Sequence, residues 1–179
     1  MKKTALVALG AAAAMVLAAC STSDSDNPQE DSTAANGEQL TLSPPSIEGL
    51  NIDFENPPET LVMDCYAYSS LHEYGLEPDA LFGFECDNEA LMGNADIEGI
   101  ETVGQDAEID LEKLAELRPD AIIGNGNADG WSWFEDDVNA QLTRVAPFVP
   151  LPSEGSIDEK IADTREIADF FGADIEAEN

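Results

Sequence analysis

From Asp110 to Gly124 the chain reads Asp-Leu-Glu-Lys-Leu-Ala-Glu-Leu-Arg-Pro-Asp-Ala-Ile-Ile-Gly, and this stretch limits the fold more than any other. Asp110 is suited to cap a helix over 111–117, because its carboxylate can accept from amide groups that a first helical turn leaves without partners. Leu111, Leu114 and Ala115 share one face of that helix, and Pro119 stops it. Ala121-Ile-Ile-Gly124 follows as an apolar, β-branched run, the pattern of a strand buried on both faces. A helix that hands over to a buried strand within a few residues is a crossover of a parallel sheet.

The same alternation recurs along the chain. Residues 60–64 read as a strand, 67–74 as a short helix stopped at Gly75, and 80–84 as a second strand. A helix around 136–142 leads to Val145-Ala-Pro-Phe-Val149, a fourth strand that Pro147 moves toward an edge. Ser156 and Glu159 have the spacing of a capping box, and Ile157, Ile161, Ala168 and Phe171 fall on one face of a helix ending at Gly172. The expectation is an α/β fold, an open, mostly parallel four-stranded sheet with crossover helices and one core over residues 60–179. Ligands of such sheets sit beyond the carboxyl ends of the strands, so the loops after Asp64, Phe84 and Gly124 are the ones to inspect.

The amino end gives an address. Lys2 and Lys3, an apolar run and then Leu17-Ala-Ala-Cys20 have the layout of a lipoprotein signal peptide over 1–19, with Cys20 as the lipid anchor. The alternative is an ordinary cleaved signal with an incidental cysteine. Residues 20–59 read as a tether and irregular lead-in: 21–40 is polar and acidic, and Pro44, Pro45, Pro57 and Pro58 punctuate the remainder. The expected location is the extracytoplasmic face of a bacterial cell membrane, held through the lipid alone. With 38 acidic and 7 basic residues the formal charge is -31, which excludes nucleic acid as a partner and favours neutral or cationic ligands. In that compartment Cys65 and Cys86 are expected to form a disulfide, and two buried free thiols are the alternative.

Aromatic residues concentrate where the sheet should end. The first of those loops offers Tyr66 and Tyr68, the second strand ends in Phe84, and both tryptophans, Trp131 and Trp133, fall in the Gly/Asn-rich loop after the third strand. Aromatic faces bind large, flat or chelating ligands, so these five are the candidate ligand-binding residues; the alternative is a local packing cluster. His72 is the only histidine and reads as a helix-surface or half-buried residue. One histidine without a partner gives neither a metal site nor a nucleophile with its base, so no enzyme, resident metal or cofactor is expected.

The segment Ile109-Asp-Leu-Glu112-Lys-Leu-Ala-Glu-Leu-Arg118-Pro119-Asp120-Ala-Ile-Ile-Gly124, with Val103-Gly104 before it and Val145-Ala-Pro-Phe-Val149 after it, resembles the N-terminal lobe of the periplasmic-binding-protein family serving iron-siderophore, haem and cobalamin ABC importers. The resemblance covers about 60–179. It implies one lobe of a class III periplasmic-binding-protein fold, a solute-binding role, an ABC permease as partner, and Glu112 as the residue that docks on permease arginines. The alternative for Glu112 is a solvated first-turn residue favoured by the helix dipole. In the family two lobes grip the ligand, and this sequence stops where the connecting helix is expected to begin, so the second lobe is expected to be absent. Without arginines on the rim, a ferric siderophore of hydroxamate type fits better than an anionic catecholate. Haem, with a phenolate from Tyr66 or Tyr68, is less favoured, and cobalamin stays open. The competing reading is an orphan or truncated half-domain acting as a surface interaction module.

Overall fold

The computed structural model describes residues 40–173 and 175. The signal segment, Cys20 and residues 21–39 of the tether lie outside the described residues. The lead-in is not irregular throughout. Strands β1 (Leu40–Leu42) and β2 (Ile52–Phe54) pair antiparallel, Leu42 opposite Ile52, and Leu42, Ile52 and Phe54 enter the core. This corrects the reading in which packing starts near Thr60. The alternation Leu-Thr-Leu and Ile-Asp-Phe carries the strand signal, and the four prolines sit outside both strands. Ser46, in the turn between them, donates from its backbone N–H at 3.0 Å and from its hydroxyl to the buried carboxylate of Asp163.

The main sheet begins with β3 (Leu61–Asp64), which runs into α1 (Cys65–Leu71) and a single 3-10 turn at His72–Tyr74. Gly75, at φ +79°, ends that turn in the left-handed region. β4 (Ala80–Phe82), α2 (Glu89–Met92) and β5 (Glu101–Thr102) follow, and a hairpin of β6 (Gly104–Gln105) and β7 (Glu108–Ile109) leads to α3 (Leu111–Leu117). Then come β8 (Ala121–Asn127), β9 (Gly130–Trp131), α4 (Asp136–Val145), β10 (Phe148–Leu151) and α5 (Ile157–Phe170). The order across the sheet is β10-β8-β3-β4-β5, all parallel, with β9 folded back antiparallel on β8. The sheet is therefore mostly parallel as expected, with two short strands, β5 and β9, beyond the four read from sequence.

Asp110 caps α3 as expected, its carboxylate accepting from Glu112 N–H and Lys113 N–H at 3.1 and 3.0 Å. Alternate residues of each central strand face opposite layers. Leu61, Met63, Leu81 and Ile123 pack toward α1, α5 and the β1–β2 pair, whereas Val62, Phe82 and Ile122 pack toward α3 and α4. β10 forms one edge and holds Pro150 opposite Gly124, which agrees with the edge position expected from Pro147.

Helix α5 opens with the expected capping box of Ser156 and Glu159, but its apolar face is corrected. Ile157 is 76% exposed and Ile161 is 47% exposed. Ala168 is buried and Phe171 half-buried as expected, Asp163 and Ile167 are buried in place of the two isoleucines, and Phe54 meets the rings of Phe170 and Phe171. The inward stripe is rotated because Asp163 turns in to accept the two Ser46 bonds, a nonlocal demand invisible to periodicity.

Candidate functional site

At the carboxyl end of β3 stands Asp64, fully buried. Its Oδ1 accepts the Ala67 N–H at 2.5 Å and so caps α1; its Oδ2 accepts the Asn125 N–H at 2.8 Å and the Trp131 indole N–H at 2.5 Å. One carboxylate thus joins the first turn of α1, the end of β8 and β9. Burial pushes the Asp64 carboxyl above its usual range, opposed by the bonds from Asn125, Ala67, Trp131 and Tyr66.

Trp131 is held from two further sides. Its backbone N–H donates to Asn139 Oδ1 at 3.0 Å, and Asn139 Nδ2 donates to the carbonyls of Trp131 and Phe134 at 3.0 and 3.3 Å. The indole lies close to two glycines: a Cβ at Gly83 would come within 3.0 Å of its Cζ2, and one at Gly124 within 2.9 Å of its Cδ1. Phe82, Phe84 and Phe134 surround it, with ring centroids at 5.3, 5.7 and 4.4 Å. Trp131 is consequently only 1% exposed. As a ligand-facing residue it is corrected: it is the floor of the site, because Asp64 and Asn139 satisfy its polar groups in the interior.

Above that floor the remaining rings meet. Trp133 is 41% exposed, stacks on Tyr66 with centroids 5.7 Å apart and planes 17° apart, and receives Phe84 edge-on at 5.6 Å. Tyr66 and Phe84 are both half-buried. Together these three rings form an aromatic surface at the carboxyl ends of β3, β4 and β8. Cys65 and Cys86 are joined in the expected disulfide, which ties the start of α1 to the loop after β4 beside these rings. A cavity of about 280 Å³ adjoins Tyr66 and is lined also by Ser69, Ser70, Asn125, Lys160 and Thr164.

Tyr68 does not join the aromatic surface, and its assignment is corrected as well. It is buried, its hydroxyl donates to the Asp96 carbonyl at 3.0 Å, and burial with the Glu77 and Asp96 carboxylates pushes its phenol upward. It borders a different cavity of about 360 Å³ with His72 and Glu98. The cause is helical spacing: two residues along α1 turn a side chain to nearly the opposite side. His72 is half-buried, with Nδ1 3.2 Å from the Tyr68 carbonyl. Glu112 is exposed on the first turn of α3, next to Lys113, whose ammonium donates to the Thr102 carbonyl at the carboxyl end of β5.

Sequence reasoning missed Asp64 and Asn139. The signal for Asp64 was an acid closing the apolar run Leu-Val-Met-Asp just before a helix. Among the described residues no group of three or more His, Cys, Asp or Glu is placed to hold a metal ion, and no helix is long and apolar enough to cross a membrane.

No family model matches the sequence. The probable siderophore-binding lipoprotein YfiY of Bacillus subtilis (strain 168) is 30% identical over 138 residues, which are 76% of this chain and 39% of that protein. DesE, a ferric-siderophore receptor protein from Streptomyces coelicolor, superposes with a TM-score of 0.63 at 23% identity, over 73% of this chain and 46% of its own. VctP, the periplasmic catecholate-siderophore binding protein from Vibrio cholerae, gives a TM-score of 0.56 at 20% identity, over 75% and 46%. The chain thus spans about two fifths of the curated relative and under half of either solved structure. The described residues have the fold of one lobe of class III periplasmic-binding proteins, and over about three quarters of its length the chain is similar in sequence to a probable siderophore-binding lipoprotein.

Proposed function

We propose that this chain is the lipid-anchored, extracytoplasmic solute-binding subunit of an ABC importer for a ferric siderophore, with the hydroxamate type as ligand and no catalytic role. The observation that carries this reading is the Tyr66–Trp133–Phe84 surface, a partly exposed aromatic platform where ligands of open parallel sheets sit. The loops that frame it carry Glu85, Asp87 and Asp129 and neither lysine nor arginine, and the one cation lining the adjoining cavity, Lys160, already donates to the Ser153 carbonyl, a balance that disfavours strongly anionic catecholate complexes. Cys20 is the anchor in this reading, and Glu112 is the contact to the permease, being exposed at the carboxyl end of the sheet. The similarity to YfiY and DesE, named for siderophore binding and ferric-siderophore reception, supports the ligand class.

Tryptophan fluorescence tests it. Titration with ferric hydroxamates should quench Trp133, and the Trp133→Phe variant should lose most of that quench. Absence of any response to ferric hydroxamates, ferric catecholates, haem and cobalamin overturns the reading. The competing role, a surface interaction module, draws on the exposed Ile157 and Ile161 of α5 and would leave all four titrations flat.

A further inference from the structure

We propose that the Cys65–Cys86 bridge positions the aromatic platform, so that its redox state sets how tightly a chelate is gripped while the fold beneath stays in place. The inference rests on the chelate-binding reading above. Cys65 is the first residue of α1 and is followed directly by Tyr66, and Cys86 lies two residues beyond Phe84. The bridge therefore fixes the separation of the two rings that bracket Trp133. Between Phe84 and Cys86 stands Glu85, a non-glycine residue at φ +60°, in the left-handed region that a side chain enters only when its surroundings impose it. Asn88 holds Glu85 from one side, its N–H donating to the Glu85 carbonyl at 2.9 Å and its Nδ2 to the Glu85 carboxylate at 2.5 Å, and the closed bridge holds the adjoining Cys86. With the bridge open, the Asn88 bonds alone hold Glu85, and Phe84 loosens against Trp133.

Trp131 shares the Phe84 contact, with ring centroids 5.7 Å apart, but is anchored independently of the bridge. Its indole and backbone are held by Asp64 and Asn139, through bonds in which neither cysteine takes part. Opening the bridge should thus separate the two tryptophans: the floor stays, the platform loosens. Cys65 is fully buried and Cys86 only half-buried, so a reductant reaches the sulfur of Cys86 first. A dithiol reductant attacks Cys86 Sγ as a thiolate, and Cys65 leaves as a thiolate and takes up a proton. The second thiol of the reductant then closes a cyclic disulfide and releases the Cys86 thiol, so two electrons and two protons pass to the protein.

The experiment uses the full chain in oxidised, dithiothreitol-reduced and re-oxidised forms, with the double variant Cys65→Ser/Cys86→Ser as a permanently open form. Far-ultraviolet circular dichroism reports the fold, acrylamide quenching reports the indoles, and titration with the ferric complex of desferrioxamine B reports the grip. The expected result is an unchanged far-ultraviolet spectrum, increased quenching of one indole only, and an affinity lower by about tenfold, the scale of ordering two loosened side chains on binding. Re-oxidation should restore both, and Trp133→Phe should remove the redox-dependent part of the quenching. Equal quenching and affinity in the two forms overturn the proposal, as does a reduced protein that loses its far-ultraviolet signal, since the bridge would then hold the fold and not the platform. An oxidised chain that binds no chelate removes the chelate-binding reading, while the quenching arm still decides whether the bridge positions the rings.

Discussion

Asp64 and Trp131, 67 positions apart in the chain, are joined by a 2.5 Å hydrogen bond from the indole nitrogen to the buried carboxylate. The first turn of α1, the end of β8 and β9 converge on that carboxylate, so its loss should be felt well beyond α1. The Asp64→Asn variant, which gives up part of the acceptor set for Asn125 and Trp131, should be destabilised by about 2 kcal/mol in urea unfolding.

The same carboxylate predicts a pH dependence. Burial raises its folded-state pKa above the ordinary value of 3.8, so the folded chain holds the proton more tightly than the unfolded one. Stability from this group is fully present below 3.8 and is lost as pH rises through the folded value. The margin of the native protein over Asp64→Asn should therefore narrow as pH rises from below 3.8 toward neutrality, measured as the difference in their unfolding free energies. A margin that widens over that range contradicts the assignment.

Asn139 closes the β9 turn with three bonds to Trp131 and Phe134. Asn139→Ala leaves a buried N–H and two buried carbonyls without these partners, for an expected loss of about 3 kcal/mol. The tryptophan emission should also shift to the red as the turn loosens, which distinguishes this variant from a remote destabilising change.

Gly124 is a test of the floor itself. A methyl there would lie 2.9 Å from Trp131 Cδ1 and 3.2 Å from the Phe148 ring, so Gly124→Ala overpacks a filled site. The expected cost is about 1–3 kcal/mol with a changed near-ultraviolet spectrum, and a neutral result would mean the indole has room to move.

At the platform, Trp133→Ala should lower affinity for a ferric hydroxamate by about tenfold or more, because it removes the most exposed ring of the three. Its unfolding free energy should change by less than that of a Trp131→Ala variant, since Trp131 is the buried one.

Elements whose causes are local were legible in the sequence. Asp110 capping α3, the Ser156 and Glu159 box on α5, the Gly75 stop and the Cys65–Cys86 pair all follow from residues and spacings a few positions apart, or from counting cysteines. The direction in which each aromatic points was not. Trp131 and Trp133 are equivalent in composition, yet Gly83, Gly124, Asp64 and Asn139 together draw one inward, and those four come from four separate segments. Tyr68 likewise needed the position of the Asp96 carbonyl, and the α5 stripe needed Ser46. The strands β1 and β2 were hidden for the opposite reason: each is three residues long, too short for alternation to outweigh the neighbouring prolines.

The sheet terminates on one side in β10, where Pro150 has no amide hydrogen to offer, and on the other in β5, which is two residues long. Neither border gives an incoming strand a continuous ladder to extend, so copies of this lobe held at high local density should stay separate and not knit into larger aggregates through their backbones.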